Sequence, residues 1–272
     1  MKLTRQVAFS SGHRYWISGL SEAENKALFG AWASPYNHGH NYVLHVTVSG
    51  RVDERHGMVV NIKDIDAVLK ERVVSRYDQK SLNDEVPEFA GRSTSSEFIA
   101  LAIRDILKPA LPDEVRLENV RLYENPLLYV DVGGSEEVLL TRVYEFSASH
   151  RLDVAGMTSE ENVELFGKCN NMAGHGHNYI LEVTVAGVPD SRTGMIADLG
   201  EIDAAVNAEV VDRYDHKHLN VDIAEFAGLN PTTEVLTRMI WRRLDGKLPV
   251  KLHKVLVRET ARNIFEYSGE DE

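Results

Sequence analysis

Three histidines at metal-ligand spacing occur twice in the chain. His13, His38 and His40 recur as His150, His175 and His177, each shifted by 137 positions (150 − 13, 175 − 38, 177 − 40). In His38-Gly39-His40 and His175-Gly176-His177 the two imidazoles are alternate residues entering a β-branched segment, so on a strand both project from one face. His13 and His150 each end an earlier strand-like segment and can supply a third nitrogen from a neighbouring ladder position. Three neutral imidazoles with an open fourth position suit a catalytic Zn2+, whereas a structural zinc is usually closed by four ligands, often cysteines. A lone His-x-His is a weak signal, since most histidines sit on surfaces or in satisfied cores. Recurrence at identical separations in two otherwise diverged stretches favours metal binding in both. His45, His56, His218 and His253 have no histidine at the matching position and read as structural or solvent-facing.

The two copies differ where acid–base chemistry would occur. Cys169 in the second faces Trp32 in the first, and His216 faces Gln79. A thiol six residues before His175 on a polar loop, near a cation, would have its thiolate favoured and could act as a base. The plainer reading is a small buried apolar residue, although Lys168 and Asn170-Asn171 argue against deep burial. Asp215-His216 offers a carboxylate beside an imidazole that can move protons near neutral pH, but adjacency alone does not establish contact. The first copy keeps Asp78 and lacks both the thiol and the second imidazole.

The same offset links Phe9-Ser10 to Phe146-Ser147, Gly57-Met58 to Gly194-Met195, and Tyr77-Asp78 to Tyr214-Asp215. A period this long means two fused copies of one domain, not a solenoid. The flexible Gly133-Gly134-Ser135 stretch divides them into domains 1–134 and 135–272. Each is long enough to bury a core. Each copy reads as strand, strand, helix, helix, strand, strand. Strands are expected over 4–13, 42–49, 116–123 and 127–132, with helices over 62–77 and 95–107. The second copy matches, with strands over 141–150, 179–186, 251–258 and 264–267 and helices over 202–214 and 233–244. Thr94 and Glu97 fit a capping box at one helix start.

A net charge of −12 argues against a nucleic-acid groove or an anionic membrane surface, and no apolar run is long enough to span a bilayer. A single cysteine excludes an intrachain disulfide and suits a reducing cytosol, and the N-terminal residues lack the apolar core of a secretion signal. A cytoplasmic location is therefore expected.

The string Phe146-Ser147-Ala148-Ser149-His150-Arg151, then Cys169 through Tyr179, resembles the 6-pyruvoyltetrahydropterin synthase family. So do Gly194-Met195 with Asp198-Leu199, Asp215 through Asn220, Pro231-Thr232-Thr233-Glu234 and Arg258-Glu259-Thr260. The resemblance covers the second half in order and the first in outline. It implies two tandem tunnelling-fold (T-fold) domains of α+β class. Each would be an antiparallel four-stranded sheet with two helices on one face, assembling sideways into β-barrels. It further implies a carbon–oxygen lyase that eliminates triphosphate from 7,8-dihydroneopterin triphosphate and rearranges its side chain. Zinc would be held by His150, His175 and His177, with Cys169 as general base and Asp215 and His216 as a proton relay reaching it from a neighbouring subunit. Glu259 would accept hydrogen bonds from the pterin, assisted by Thr232, Thr233 and Glu234, since a carboxylate suits a planar pair of N–H donors. Glu234 could instead be a helix-start charge favoured by the macrodipole, and Glu259 a surface charge.

His13, His38 and His40 with Glu97 and Glu124 would give the first half a zinc site, and pterin binding without the usual turnover. Like copies gathering in separate rings would complete each second-half triad, which predicts a trimer of two-domain chains. Two other readings compete. One is a 6-carboxy-5,6,7,8-tetrahydropterin synthase of the queuosine pathway, which uses the same substrate and zinc. The other is a non-catalytic zinc- or pterin-binding protein, because fold alone does not fix function.

Overall fold

Period-two burial organises each sheet. In the computed structural model, which describes residues 1–269, the chain divides into two units. The first comprises Met1–Leu140 with Ala186–Ile196, and the second Thr141–Val185 with the described residues from Ala197 onward.

In the first unit β1 (Lys2–His13) pairs antiparallel with β2 (His38–Gly50), β2 with β4 (Val115–Asn125), and β4 with β5 (Leu128–Val132). These are the four long strands expected from the sequence. A two-residue strand, β3 (Lys80–Ser81), adds a parallel pairing to β1 and gives the order β5-β4-β2-β1-β3. The second unit carries most of β6 (Val138–His150) and β7 (His175–Gly187), with β8 (Lys217–His218), β9 (Lys251–Arg258) and β10 (Ile264–Tyr267). Its order is β10-β9-β7-β6, with β8 parallel to β6. The dipeptide strands carry no pattern long enough to announce themselves in sequence.

Parity along β2 decides the site. Tyr42, Leu44, Val46 and Val48 are buried, and His38 and His40 share their parity, so the histidines extend the core-facing row beyond the end of the core. In β7 the buried residues Tyr179, Leu181, Val183 and Val185 continue the row of His175 and His177. Burial of each such apolar side chain stabilises its unit by about 1.5–3 kcal/mol. Phe9 stacks on Tyr42 at 5.1 Å between ring centroids, and Phe146 on Tyr179 at 5.2 Å, fixing the rows below the histidines.

Two helices cover each sheet face. The helix Ser96–Leu107 buries Ile99, Ala100, Ile103 and Leu107 and packs on β4 and β5; Thr233–Leu244 buries Leu236, Thr237, Ile240 and Leu244 and packs on β9 and β10. The expected helix over 62–77 is interrupted: Ile62–Leu69 passes through a π turn, Lys70–Val74, into Ser75–Tyr77. Its buried residues Ile65, Leu69, Val73 and Tyr77 recur every fourth position. That spacing drifts around a 3.6-residue helix, and one wider turn restores the alignment. The second unit repeats the device at Asn207–Val211, with Ile202, Val206, Val210 and Tyr214 buried. At the start of Ser96–Leu107 the cap is Ser95, whose Oγ accepts from Phe98 N–H at 3.2 Å, and not the expected Thr94–Glu97 box. Glu97 is thereby free for another partner.

Candidate functional site

The register of β1 on β2 sets His13 opposite His38 and Ser11 opposite His40, so three imidazoles meet at one end of the sheet. Ring centroids lie 4.4 Å apart for His13 and His38, 5.0 Å for His13 and His40, and 5.0 Å for His38 and His40. In the second unit the corresponding separations are 4.6 Å for His150 and His175, 5.4 Å for His150 and His177, and 5.0 Å for His175 and His177. Within each trio one nitrogen per ring falls within 4.8 Å of the others.

The donor chemistry suits a cation. His13 Nδ1 lies 2.8 Å from Thr94 O and His150 Nδ1 lies 2.7 Å from Pro231 O. A carbonyl only accepts, so each Nδ1 carries the proton and each Nε2 presents a lone pair. Among the described residues Nε2 of His13, His40 and His177 is buried without a hydrogen-bond partner. Such atoms are costly unless something coordinates them. Burial, followed by proximity to His38, pulls His13 down to about 3. Burial also lowers His38, His150 and His177, outweighing the hydrogen bond from His150 to Pro231 and the carboxylate of Glu259 beside His177. His13, His38, His150 and His177 are therefore held toward the neutral form, the form that binds a metal.

Glu259 stands beside the second trio. Its Oε1 accepts from Thr233 Oγ1 at 2.6 Å and lies 3.8 Å from Nε2 of both His150 and His177, while Oε2 accepts from Asn263 Nδ2 at 2.9 Å. Burial opposes its charge, yet the hydrogen bonds from Asn263 and Thr233, with the nearby histidines, hold it below the usual carboxylate range. In the first unit Glu124 Oε2 accepts from Ser96 Oγ at 2.5 Å and Oε1 lies 3.5 Å from His40 Nε2. The two copies build the same arrangement from Ser96 and from Thr233.

An open cleft of about 860 Å3 brings His177 and Glu259 together with His216, Lys217 and His218. His216 occupies left-handed backbone at φ 57°, costly for a side-chain-bearing residue, and its N–H donates to Ser147 O at 2.6 Å. Its Nδ1 lies 2.7 Å from Asp215 Oδ2, and Asp215 Oδ1 accepts from Ser147 N–H at 2.7 Å. The Ser147 N–H and then His216 hold Asp215 below its ordinary pKa. The adjacent pair in sequence is thus a contacting pair in space. Gln79 keeps the strained backbone at φ 58° and the N–H bond to Ser10 O, and Asp78 keeps its bond from Ser10 N–H, without an imidazole.

Cys169 lies half-exposed on the 3-10 turn Gly167–Asn170 and does not line that cleft. Its carbonyl accepts from Leu152 N–H at 2.9 Å, tying the turn to the end of β6. Trp32, its counterpart, is 40% exposed. Thr232 caps its helix through Oγ1, and Glu234 is exposed at the helix start. Glu97 is instead buried, accepts from Ile196 N–H at 3.0 Å, and is pushed up to about 7 by burial. Two contributors escaped the sequence reading. His218 lines the cleft and has a buried, unpartnered Nδ1, and Asn263 orients Glu259. The proximity of His218 to Asp215-His216 was the available signal; Asn263 offered none.

Comparison with known proteins follows the same duplication. The sequence profile of the family described as 6-pyruvoyl tetrahydropterin synthase matches residues 2–135 and again 139–270. The 6-pyruvoyl tetrahydrobiopterin synthase of Drosophila melanogaster is 46% identical over 132 residues, spanning 48% of this chain and 79% of that protein. The Homo sapiens protein of that name is also 46% identical over 132 residues, spanning 48% of this chain and 91% of its own length. A solved structure of Caenorhabditis elegans 6-pyruvoyl tetrahydropterin synthase is 38% identical, covers 49% of this chain and 96% of that one, and has a TM-score of 0.48.

Proposed function

The chain belongs to the 6-pyruvoyl tetrahydropterin synthase family in both its halves, and from that membership we propose that it is a zinc-dependent 6-pyruvoyltetrahydropterin synthase whose second half performs the reaction. The substrate is 7,8-dihydroneopterin triphosphate, from which triphosphate is eliminated, making the enzyme a carbon–oxygen lyase. The observation that carries the reading is the meeting of Glu259 and His216 on one cleft with His177 of the His150–His175–His177 trio.

His150, His175 and His177 would hold Zn2+, which supplies Lewis-acid polarisation of a substrate oxygen. Glu259, fixed by Thr233 and Asn263, accepts two charge-assisted hydrogen bonds from the planar N–H edge of the pterin. Thr232, Thr233 and Glu234 would assist it, Thr233 through its hydrogen bond to Glu259. Cys169 would act as the base that takes a proton from the substrate side chain. His216, oriented by Asp215, carries protons to and from the reacting carbons. In the first half His13, His38 and His40 would hold a second Zn2+ beside Glu124, while Glu97, expected at the same site, is buried against the Ile196 N–H; a pterin bound there would not be converted, because Trp32 and Gln79 cannot exchange protons.

The two synthase-like domains are 1–134 and 135–272, each a T-fold, and the chain works in the cytoplasm as a homo-oligomer, a trimer of two-domain chains. Purified protein incubated with dihydroneopterin triphosphate, with Cys169→Ala as control, tests the reading. A pterin retaining all three side-chain carbons supports it. Loss of two carbons identifies the queuosine-pathway 6-carboxytetrahydropterin reaction, and no conversion identifies a binding protein. His150→Ala should abolish turnover while His13→Ala leaves most of it; equal losses would contradict the division of labour.

A further inference from the structure

The segments that end in Tyr77-Asp78 and Tyr214-Asp215 share one build, and the second carries an added tie. In each unit a π turn precedes the tyrosine, Lys70–Val74 in the first and Asn207–Val211 in the second. Both tyrosines are fully buried, and each donates its hydroxyl to a glutamate, Tyr77 to Glu88 Oε1 at 2.9 Å and Tyr214 to Glu225 Oε1. Each following aspartate N–H donates four residues back, Asp78 to Val74 O and Asp215 to Val211 O, both at 2.9 Å.

The cation that completes the glutamate differs. Glu88 takes one from its own segment, Arg76, whose side chain is 42% exposed and whose Nη2 donates to Glu88 Oε2 at 2.7 Å. Arg213 stands at the matching position, but its Nη2 lies 3.9 Å from Glu225 Oε2. Glu225 takes Arg243 instead, from the helix Thr233–Leu244. Its Nη1 donates to Glu225 Oε2 at 2.9 Å, Nη2 to Glu209 Oε2 at 2.5 Å, and Nε to Glu209 O at 2.5 Å. Glu209 belongs to the π turn, so one planar guanidinium grips that turn by backbone and side chain and reaches the carboxylate that holds Tyr214. At the repeat offset Arg243 becomes Ile106 and Glu209 becomes Arg72, so the first unit cannot build this tie. It also has Gln79 where the second has His216. The clamp and the imidazole occur in the same unit.

The His216 side chain is 83% exposed, so packing does little to place it. Its position follows from the backbone it projects from, which Tyr214 and the π turn anchor. The helix that supplies Arg243 also supplies Thr233, the donor to Glu259 Oε1 at 2.6 Å. Ten residues (243 − 233) at about 1.5 Å each place the two anchors about 15 Å apart on one rigid rod. We propose that Arg243 is a positioning residue for the second-unit site: by joining Glu209 and Glu225 to the helix Thr233–Leu244, it sets the Asp215-His216 pair at a fixed distance from Glu259. Arg243 does not line the cleft and acts through the His216 ring. Its effect on turnover rests on the reaction proposed above; the clamp rests on the contacts.

Arg243→Met keeps an apolar stem and removes all three donors. Hydrogen exchange read by mass spectrometry over residues 209–218 tests the clamp without turnover. Exchange there should quicken on the order of tenfold, while residues 72–81, the same segment in the first unit, stay at the parent rate. Turnover of dihydroneopterin triphosphate tests the consequence: kcat should fall by about 10²-fold with KM nearly unchanged, the signature of a misplaced reacting group. In the His216→Gln background the same substitution should cost nothing further, because the ring through which Arg243 acts is gone. Arg243→Lys keeps the charge but cannot span three acceptors in one plane, so it should move both readouts the same way by less, and it replaces Arg243→Met if that variant does not fold. Exchange at the parent rate, an unchanged kcat, or losses that add to those of His216→Gln overturn the proposal. A parent that converts no dihydroneopterin triphosphate refutes the reaction and not the clamp, which the exchange rates then decide alone.

Discussion

Thr233→Val removes one hydrogen-bond donor from Glu259, the carboxylate proposed to bind the pterin, and leaves the side-chain volume nearly unchanged. Thr233 Oγ1 lies 2.6 Å from Glu259 Oε1, and the Glu259 side chain is 12% exposed in that setting. A hydrogen bond to a charged group contributes about 1.5–3 kcal/mol. The lower end applies here, because the cleft admits water and screens the charge. About 1.4 kcal/mol is one pKa unit and one factor of ten in affinity. Glu259 is held below its ordinary pKa in the fold, so its ionised form persists as pH falls until the depressed folded pKa is reached. Losing Thr233's donor raises that pKa, and the ionised form is lost earlier on acidification. The assay is fluorescence titration with dihydroneopterin triphosphate in the Cys169→Ala background, across the acid range. Affinity about tenfold weaker, with the acid limb moved to higher pH, is expected. Parent-like affinity with an unmoved acid limb would refute the role given to Glu259.

His216→Gln recreates in the second unit what Gln79 already does in the first, at the same left-handed backbone. Circular dichroism and melting should be unchanged while kcat falls by about 10²–10⁴; a fold loss or an unchanged kcat would contradict the proton-relay assignment. Gly194→Ala and Gly57→Ala share the φ penalty of about 1–2 kcal/mol, but only Gly194→Ala also forces atoms against Phe98 and Ser95, adding about 1–3 kcal/mol. Denaturant midpoints should separate the two variants, and equal midpoints would show that the 190–196 loop is not seated as described.

The two histidine trios were legible in the sequence because parity and repetition are local facts. His38 and His40 share the parity of Tyr42 and Leu44, and the whole trio returns at one offset, so the strand period alone predicts a common face. Strands β2 and β7 begin at the histidines themselves, four residues before the β-branched run that announced them. The Asp215–His216 contact was half-legible: adjacency suggested it, but the left-handed turn that makes it depends on a bond to Ser147, far away in sequence. Glu97 was misread as a capping partner because its true partner, Ile196, lies in the other repeat. The π turns were hidden inside a sound apolar pattern, since a four-residue spacing looks helical whether or not a wider turn corrects its drift. Position 169 was legible as a thiol on a polar turn, and the structure places it half-exposed on the turn Gly167–Asn170.

Elemental analysis of protein purified without chelators, by plasma mass spectrometry, tests the central claim most directly. The account predicts two zinc equivalents per chain, one in His150→Ala, and one in His13→Ala, because each histidine trio is a separate site. Protein with no stoichiometric metal, or a His150→Ala variant that retains both equivalents, would contradict it.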